Sequence, residues 1–259
     1  MKLSNKILIG LLTVVIIFQL FSMFYVRSFI KKAMVDSNDI NLTIWNDLMD
    51  SETTEKEFDF DDFDELTLQM RGNVIINQST DYKVTVKGPI DFLNSEYFDI
   101  STKGSTLEID CPAYRNSHYE LYTIIEMPTL KKIKASERVD IILEGFEEKH
   151  LKVQLTGDCA LQGNNNRIDD LEIDLFGETD FDFENSIVKK ADIRSMGETE
   201  VSLEVAEVEI HAFGESDFQL HMNGGDIKGS IIGDGNIEYT GEIDDNKLNF
   251  LGPGKVHKR

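Results

Sequence analysis

Cysteine is nearly absent. Two thiols, Cys111 and Cys159, in 259 residues cannot build the disulfide framework of a small secreted scaffold, and they match no zinc-ligand spacing. Two free buried thiols or a single bridge are the readings left open. Basic residues are scarce as well. After Val35 there are 21 against 48 acidic ones, a net of −27. Such a field repels phosphate backbones and anionic lipid, which argues against nucleic acid as a partner. There is no Gly-x-Ser-x-Gly nucleophile elbow, no phosphate loop and no histidine pair at metal spacing; His118, His150, His211 and His221 are scattered. Carboxylate pairs arise by chance in so acidic a chain, so they do not identify a polysaccharide lyase or hydrolase. No catalytic or cofactor-binding residue is assigned.

The N-terminus contrasts with the rest. Ile7 to Val26, "ILIGLLTVVIIFQLFSMFYV", carries no charge over twenty residues, which at about 1.5 Å per residue spans a hydrocarbon core of roughly 30 Å. No small-residue cleavage site follows, so the segment is expected to be an uncleaved transmembrane anchor rather than a signal peptide. Lys2 and Lys6 on one side balance Arg27, Lys31 and Lys32 on the other, and the positive-inside comparison is a tie. The expected organisation is a cytoplasmic N-terminus over 1–6, an anchor over 7–26, a basic then acidic linker over 27–57 and one β-domain over 58–259.

Within that domain a pattern recurs. Around Gly177, apolar residues stand at alternate positions: Leu171, Ile173 and Leu175 before it, Phe181 and Phe183 after it. The same frame fits Gly157, Gly197, Gly214, Gly233 and Gly252, spaced 20, 20, 17, 19 and 19 residues apart. Gly72 carries an upstream copy, and a degenerate one centres on Ala135. Period-2 alternation excludes helical repeats, and each copy reads as two strands meeting at a glycine bend. Coils of about 20 residues, stacked at about 4.8 Å with every strand parallel to its counterpart, predict an all-β, single-domain parallel β-helix, a solenoid. A flat antiparallel sandwich is the alternative, but its hairpins would not need a glycine at one phase in six copies. Lys87 to Pro128 departs from the period; it is expected to form a hairpin turning at "TKGS" and an edge cover, where Tyr97, Tyr114, Tyr119, Tyr122 and His118 are expected to pack against strands and loops, a surface groove being the alternative.

Strand parity assigns the residue two after each glycine to the interior. Val74, Cys159, Thr179, Thr199, Ser216 and Gly235 are expected to stack as an inward corner column, with the hydroxyls hydrogen-bonding along it. The residues one and three after the glycine face out, giving an acidic ladder of Glu178, Asp180, Glu198, Glu200, Glu215 and Asp217. Two unit charges 4.8 Å apart repel by about 0.9 kcal/mol in water and about 3.5 at an effective dielectric near 20. The first is absorbed by solvent and salt, giving a soluble acidic edge. The second would call for a cation, and weak Ca²⁺ binding is the corresponding reading, without the "GGxGxD" repeat of calcium-binding β-rolls.

The stretches "FDELTLQMRGNVIINQSTDYKVTVKG", "MPTLKKIKASERVDIILEG" and the "LxIxxxGET" copies, together covering about Phe58 to Lys258, resemble the bacterial autotransporter adhesin head, or GIN, domain family. That family usually has "SGAS"-like corners where this chain has "FGET" and "MGET". The resemblance implies a right-handed parallel β-helix, exported and often membrane-tethered, and supplies no catalytic residues. The expected function is a non-enzymatic binding or adhesion surface for a glycan or protein ligand, anchored in the bacterial cell membrane with its C-terminal domain outside the cytoplasm. An envelope scaffold or sensor module is the alternative; a polysaccharide-active enzyme ranks below both.

Overall fold

The computed structural model describes residues 52–111 and 120–259. The chain divides into two units, Met1–Ser51 and Glu52–Arg259, and only the second falls among the described residues. Its elements are β1 (Thr53–Phe58), β2 (Glu65–Gln78), β3 (Lys83–Pro89), a short α1 (Ile90–Leu93), β4 (Asp99–Lys103), β5 (Thr106–Asp110) and β6 (Leu121–Met127), then β7 (Lys132–Glu144), β8 (Glu147–Asn223), β9 (Asp226–Glu242), β10 (Asp245–Leu251) and β11 (Lys255–Lys258). The first strand begins at Thr53, inside the stretch read from sequence as linker.

Alternating burial runs along nearly every strand; β2 alternates half-buried and buried from Glu65 to Ile76. One face therefore meets the core and the other meets solvent, as period-2 patterning dictates. The ribbon β8 has 77 residues, and drawn straight at about 3.3 Å per residue it would reach roughly 250 Å. It doubles back instead. A Cβ added to Gly177 would meet Gly157 O at 2.6 Å, and one on Gly197 would meet Gly177 O at 2.3 Å. Gly214 lies against Gly197 in the same way, Gly233 against Gly214 and Gly252 against Gly233. Each pass of the ribbon thus crosses its predecessor at a glycine. Gly177 and Gly197 have φ of +112° and +131°, values that side-chain-bearing residues adopt only under strain.

Parallel registers join β2 to β7, β7 to β8, β8 to β9 and β9 to β10. Inward residues align across them: Leu66 with Ile133 and Val153, Leu68 with Ala135 and Leu155, Val208 with Ile227. All are buried. Phe63, Phe92, Phe146, Phe181, Phe183 and Phe218 are the largest fully buried side chains of the core, and Asn166 stitches three passes by donating to Leu143 O at 3.0 Å and to Ser186 Oγ at 3.1 Å while accepting from Phe146 N at 2.9 Å.

The expectation of a parallel β-helix is corrected by the rest of the sheet. All eleven strands form one sheet of mixed orientation: β1 with β3, β3 with β6, and β4 with β5 are antiparallel. Short connections are the reason. The β4–β5 hairpin closes through Gly104 at φ +63°, and tight turns join only antiparallel neighbours. These strands cover the β2 edge, which β5 pairs along Glu65–Gln69 and β6 along Gly72–Gln78. The expected transmembrane helix over 7–26 lies outside the described residues; among the described residues no helix is long and apolar enough to cross a membrane.

Candidate binding surface

Register decides which outward side chains become neighbours. Immediately after the bend glycines from Gly157 to Gly233 the chain carries Asp158, Glu178, Glu198, Glu215 and Asp234, and two residues later Asp180, Glu200 and Asp217; every one of these is exposed. The six carboxylates of the expected ladder come together, joined by Asp140 and Asp158, around a groove of about 240 Å³. Its ends are satisfied. Arg138 Nε donates to Asp158 at 2.6 Å, Gln219 Nε2 to Glu200 at 3.2 Å and Asn236 Nδ2 to Asp217 at 3.1 Å. Its middle is not: Glu178, Asp180, Glu198 and Glu215 have no hydrogen bond or ion pair among the described residues. Asp140 is exposed on the outer face; partial desolvation there, with Glu120 and Asp158 close by, pushes its carboxyl upward from the ordinary value.

A second groove of about 550 Å³ adjoins the first through Asp140, Ala160 and Asp180, and its wall is apolar, formed by Ile75, Tyr122 and Ile142. Of the tyrosines singled out in the sequence, Tyr122 is thus placed on a groove; Tyr114, Tyr119 and His118 lie outside the described residues.

The inward column is more mixed than parity implied. Cys159, Thr179, Thr199, Ser216 and Gly235 are buried, and Ser216 aligns with Gly235. Val74 is buried but aligns with Ile141 and through it with Leu161, so Gly72 takes the place beside Val139 and Cys159. In the degenerate copy the bend falls on Glu137, φ +85°, opposite Gly157, rather than on Ala135. The hydroxyls do not form a ladder. Ser216 Oγ bonds Ser195 Oγ at 3.3 Å, whereas Thr179 and Thr199 Oγ1 are buried without a hydrogen-bond partner among the described residues.

Chemistry of the acid–base or nucleophilic kind has little to work with. Both cysteines are free and buried, and burial pushes both thiols upward, so neither supplies a thiolate at neutral pH. Glu209, His211 and Ser230 form a hydrogen-bonded chain with 3.1 Å links, but they lie on the open strand face as register neighbours, and Lys228 also holds Glu209, at 3.6 Å. This is a surface chain that stitches two passes. Among the described residues no group of three or more His, Cys, Asp or Glu is arranged to hold a metal ion.

Sequence reasoning overlooked one feature. From the Gly177 bend onward the residue just before the glycine is large, apolar and exposed: Phe176, Met196, Phe213, Ile232 and Leu251; Arg71 and Thr156 precede Gly72 and Gly157. Its signal was present in "FGET", "MGET", "FGES", "IGDG" and "LGPG", where parity sends that residue outward.

The family described as "Putative auto-transporter adhesin, head GIN domain" matches residues 62–242. A search of curated proteins gives no match. Among solved structures, a "putative adhesin" from Bacteroides fragilis superposes with a TM-score of 0.71 at 18% identity, over 80% of this chain and 97% of that one. One from Parabacteroides merdae gives 0.59 at 16% identity, over 81% and 97%. A "putative lipid binding protein" from Parabacteroides distasonis gives 0.60 at 15% identity, over 81% and 98%. At these identities the likeness is one of fold. Since the family match spans well over half of its length, the chain belongs to the auto-transporter adhesin head GIN domain family.

Proposed function

We propose that this chain is a non-enzymatic binding module displayed outside the bacterial cytoplasm and held at the cell membrane, with the acidic groove and its apolar wall as the ligand-facing surface. Membership of an adhesin head family supports an adhesin-like, extracytoplasmic role. The observation that carries the assignment to the groove is the convergence of eight carboxylates, of which only Asp158 has an ion pair among the described residues, beside an apolar wall. Such a surface offers charge recognition and desolvation together.

The test is to probe arrays of glycans and of surface proteins with the full chain and with a Glu198→Gln, Glu200→Gln variant. Both residues are exposed, so the variant is expected to melt with the parent and to lose the parent's binding signal. Equal signals would remove the groove as the site, and turnover of an acidic polysaccharide would overturn the non-enzymatic reading. Protease that reaches the outer face of an intact inner membrane should digest residues 52–259; protection until the inner membrane is opened would contradict extracytoplasmic display.

A further inference from the structure

The five apolar residues that precede the bend glycines form a continuous ridge on the outside of the sheet. Their exposures are 41% for Phe176, 53% for Met196, 56% for Phe213, 40% for Ile232 and 71% for Leu251. Phe213 is the register partner of Ile232, and Ile232 that of Leu251, while the stacking of Gly177, Gly197 and Gly214 carries the same column through Met196 to Phe176. Isolated apolar side chains on a surface need no explanation; a contiguous strip on a chain of net charge −22 does.

The flanks of the ridge differ. On the glycine side stand Glu178, Glu198, Glu215 and Asp234, all exposed and none with an ion pair among the described residues. On the other side, Arg194 is held by Asp174 and Asp192, at 3.5 and 3.1 Å, and His211 by Glu209 at 3.1 Å. The charges free to meet a partner are therefore negative and lie along one edge of an apolar strip.

We infer that this ridge docks an amphipathic helix of a partner protein, with an apolar stripe against the five side chains and lysines or arginines along the acidic edge. This rests on the binding-module reading and names a second surface for it. Spacing selects the helix. Ridge residues recur at about 4.8 Å, close to the 5.4 Å pitch of an α-helix, so the mismatch over four steps is about 2 Å. An extended strand lying along the ridge repeats its same-face residues at about 6.7 Å and falls out of step by about 8 Å over the same distance. A ridge of about 19 Å matches about 13 helical residues. The free carboxylates oppose docking of anionic lipid or of a second copy of this acidic chain.

The test uses the full chain and a synthetic helix-forming peptide of about 14 residues with leucines at i, i+3/i+4 and i+7 spacing and lysines along one flank. Fluorescence anisotropy should show saturable binding that weakens on raising the salt toward 1 M, where screening is within about 3 Å. The Met196→Ser, Phe213→Ser variant should lose about tenfold or more in affinity, as expected on removing central anchors, while melting with the parent because both side chains are exposed. Unchanged affinity in that variant, or equal binding of a peptide with glutamates in place of the lysines, would overturn the inference. So would binding of phosphatidylglycerol vesicles, or a self-associated dimer, that the same variant abolishes. If array ligands still bind the parent while the peptide does not, the ridge inference falls and the binding-module reading stands; if neither binds, that reading falls as well.

Discussion

Alanine at Gly197 tests the crossing of successive passes. Gly197 has φ +131°, and a Cβ there would sit 2.3 Å from Gly177 O and 3.0 Å from Gly177 C. The backbone below cannot easily yield, because Gly177 is itself packed on Gly157 at 2.6 Å by the same measure. Two costs add: about 1–2 kcal/mol for placing a non-glycine residue at positive φ, and about 1–3 kcal/mol for forcing an atom into packed backbone. Gly224 isolates the first, since its φ is +94° and an added Cβ would meet nothing within 4 Å. Gly197→Ala should therefore cost about 2–5 kcal/mol and Gly224→Ala about 1–2. For a domain of this size each kcal/mol lowers Tm by about 2–4 °C. Thermal melts followed by circular dichroism, supported by urea titrations with unchanged slope, measure both. Equal losses in the two variants would refute the contact between passes.

Other outcomes follow from the same packing. Thr179→Val and Thr199→Val each replace a buried, unpartnered hydroxyl with a methyl of similar size and should stabilise by about 1 kcal/mol; a loss of stability in both would show that the hydroxyls are satisfied. Asp140, exposed on the outer face, has a raised pKa, from partial desolvation first and then from Glu120 and Asp158, so the folded state holds its proton more tightly than the unfolded one. Its penalty is absent below the ordinary carboxylate pKa of about 3.9 and grows as pH rises through the folded value; Asp140→Asn should raise Tm at about pH 7 and not at about pH 3, and a pH-independent shift would contradict this cause. Cys111 and Cys159, buried with thiols shifted upward, should label with a maleimide only after denaturation; rapid labelling of both in the native protein would show them accessible.

Much of the core was legible because alternation and repetition are local. Leu171, Ile173 and Leu175 announce one strand, and the glycine that follows marks the bend by its own lack of a side chain. The family resemblance rested on the same residues, and the match over 62–242 agrees with it. The exceptions came from long-range pairing. Nothing near Lys83–Pro89 states that it will run antiparallel to β6, and no local rule places Gly72 two residues ahead of Gly157 in the register. Glu137 occupies a bend without glycine, which hid that copy behind Ala135. The acidic ladder was visible from parity, and its residues do share a groove; which of them lack partners depended on Gln219 and Asn236, one pass away. The ridge escaped notice because large apolar residues beside a glycine look like core until their outward parity is followed.

The central claim is that residues preceding consecutive bend glycines are neighbours on the outer face. Adjacent passes place their Cα atoms about 4.8 Å apart, inside the roughly 4.4–6.8 Å window for a disulfide, whereas two passes are about 9–10 Å apart and outside it. Mild oxidation of the native Met196→Cys, Phe213→Cys variant should close a disulfide, and the Met196→Cys, Ile232→Cys variant should stay reduced. Failure of the first pair to close, or closure of the second in its place, would contradict the account.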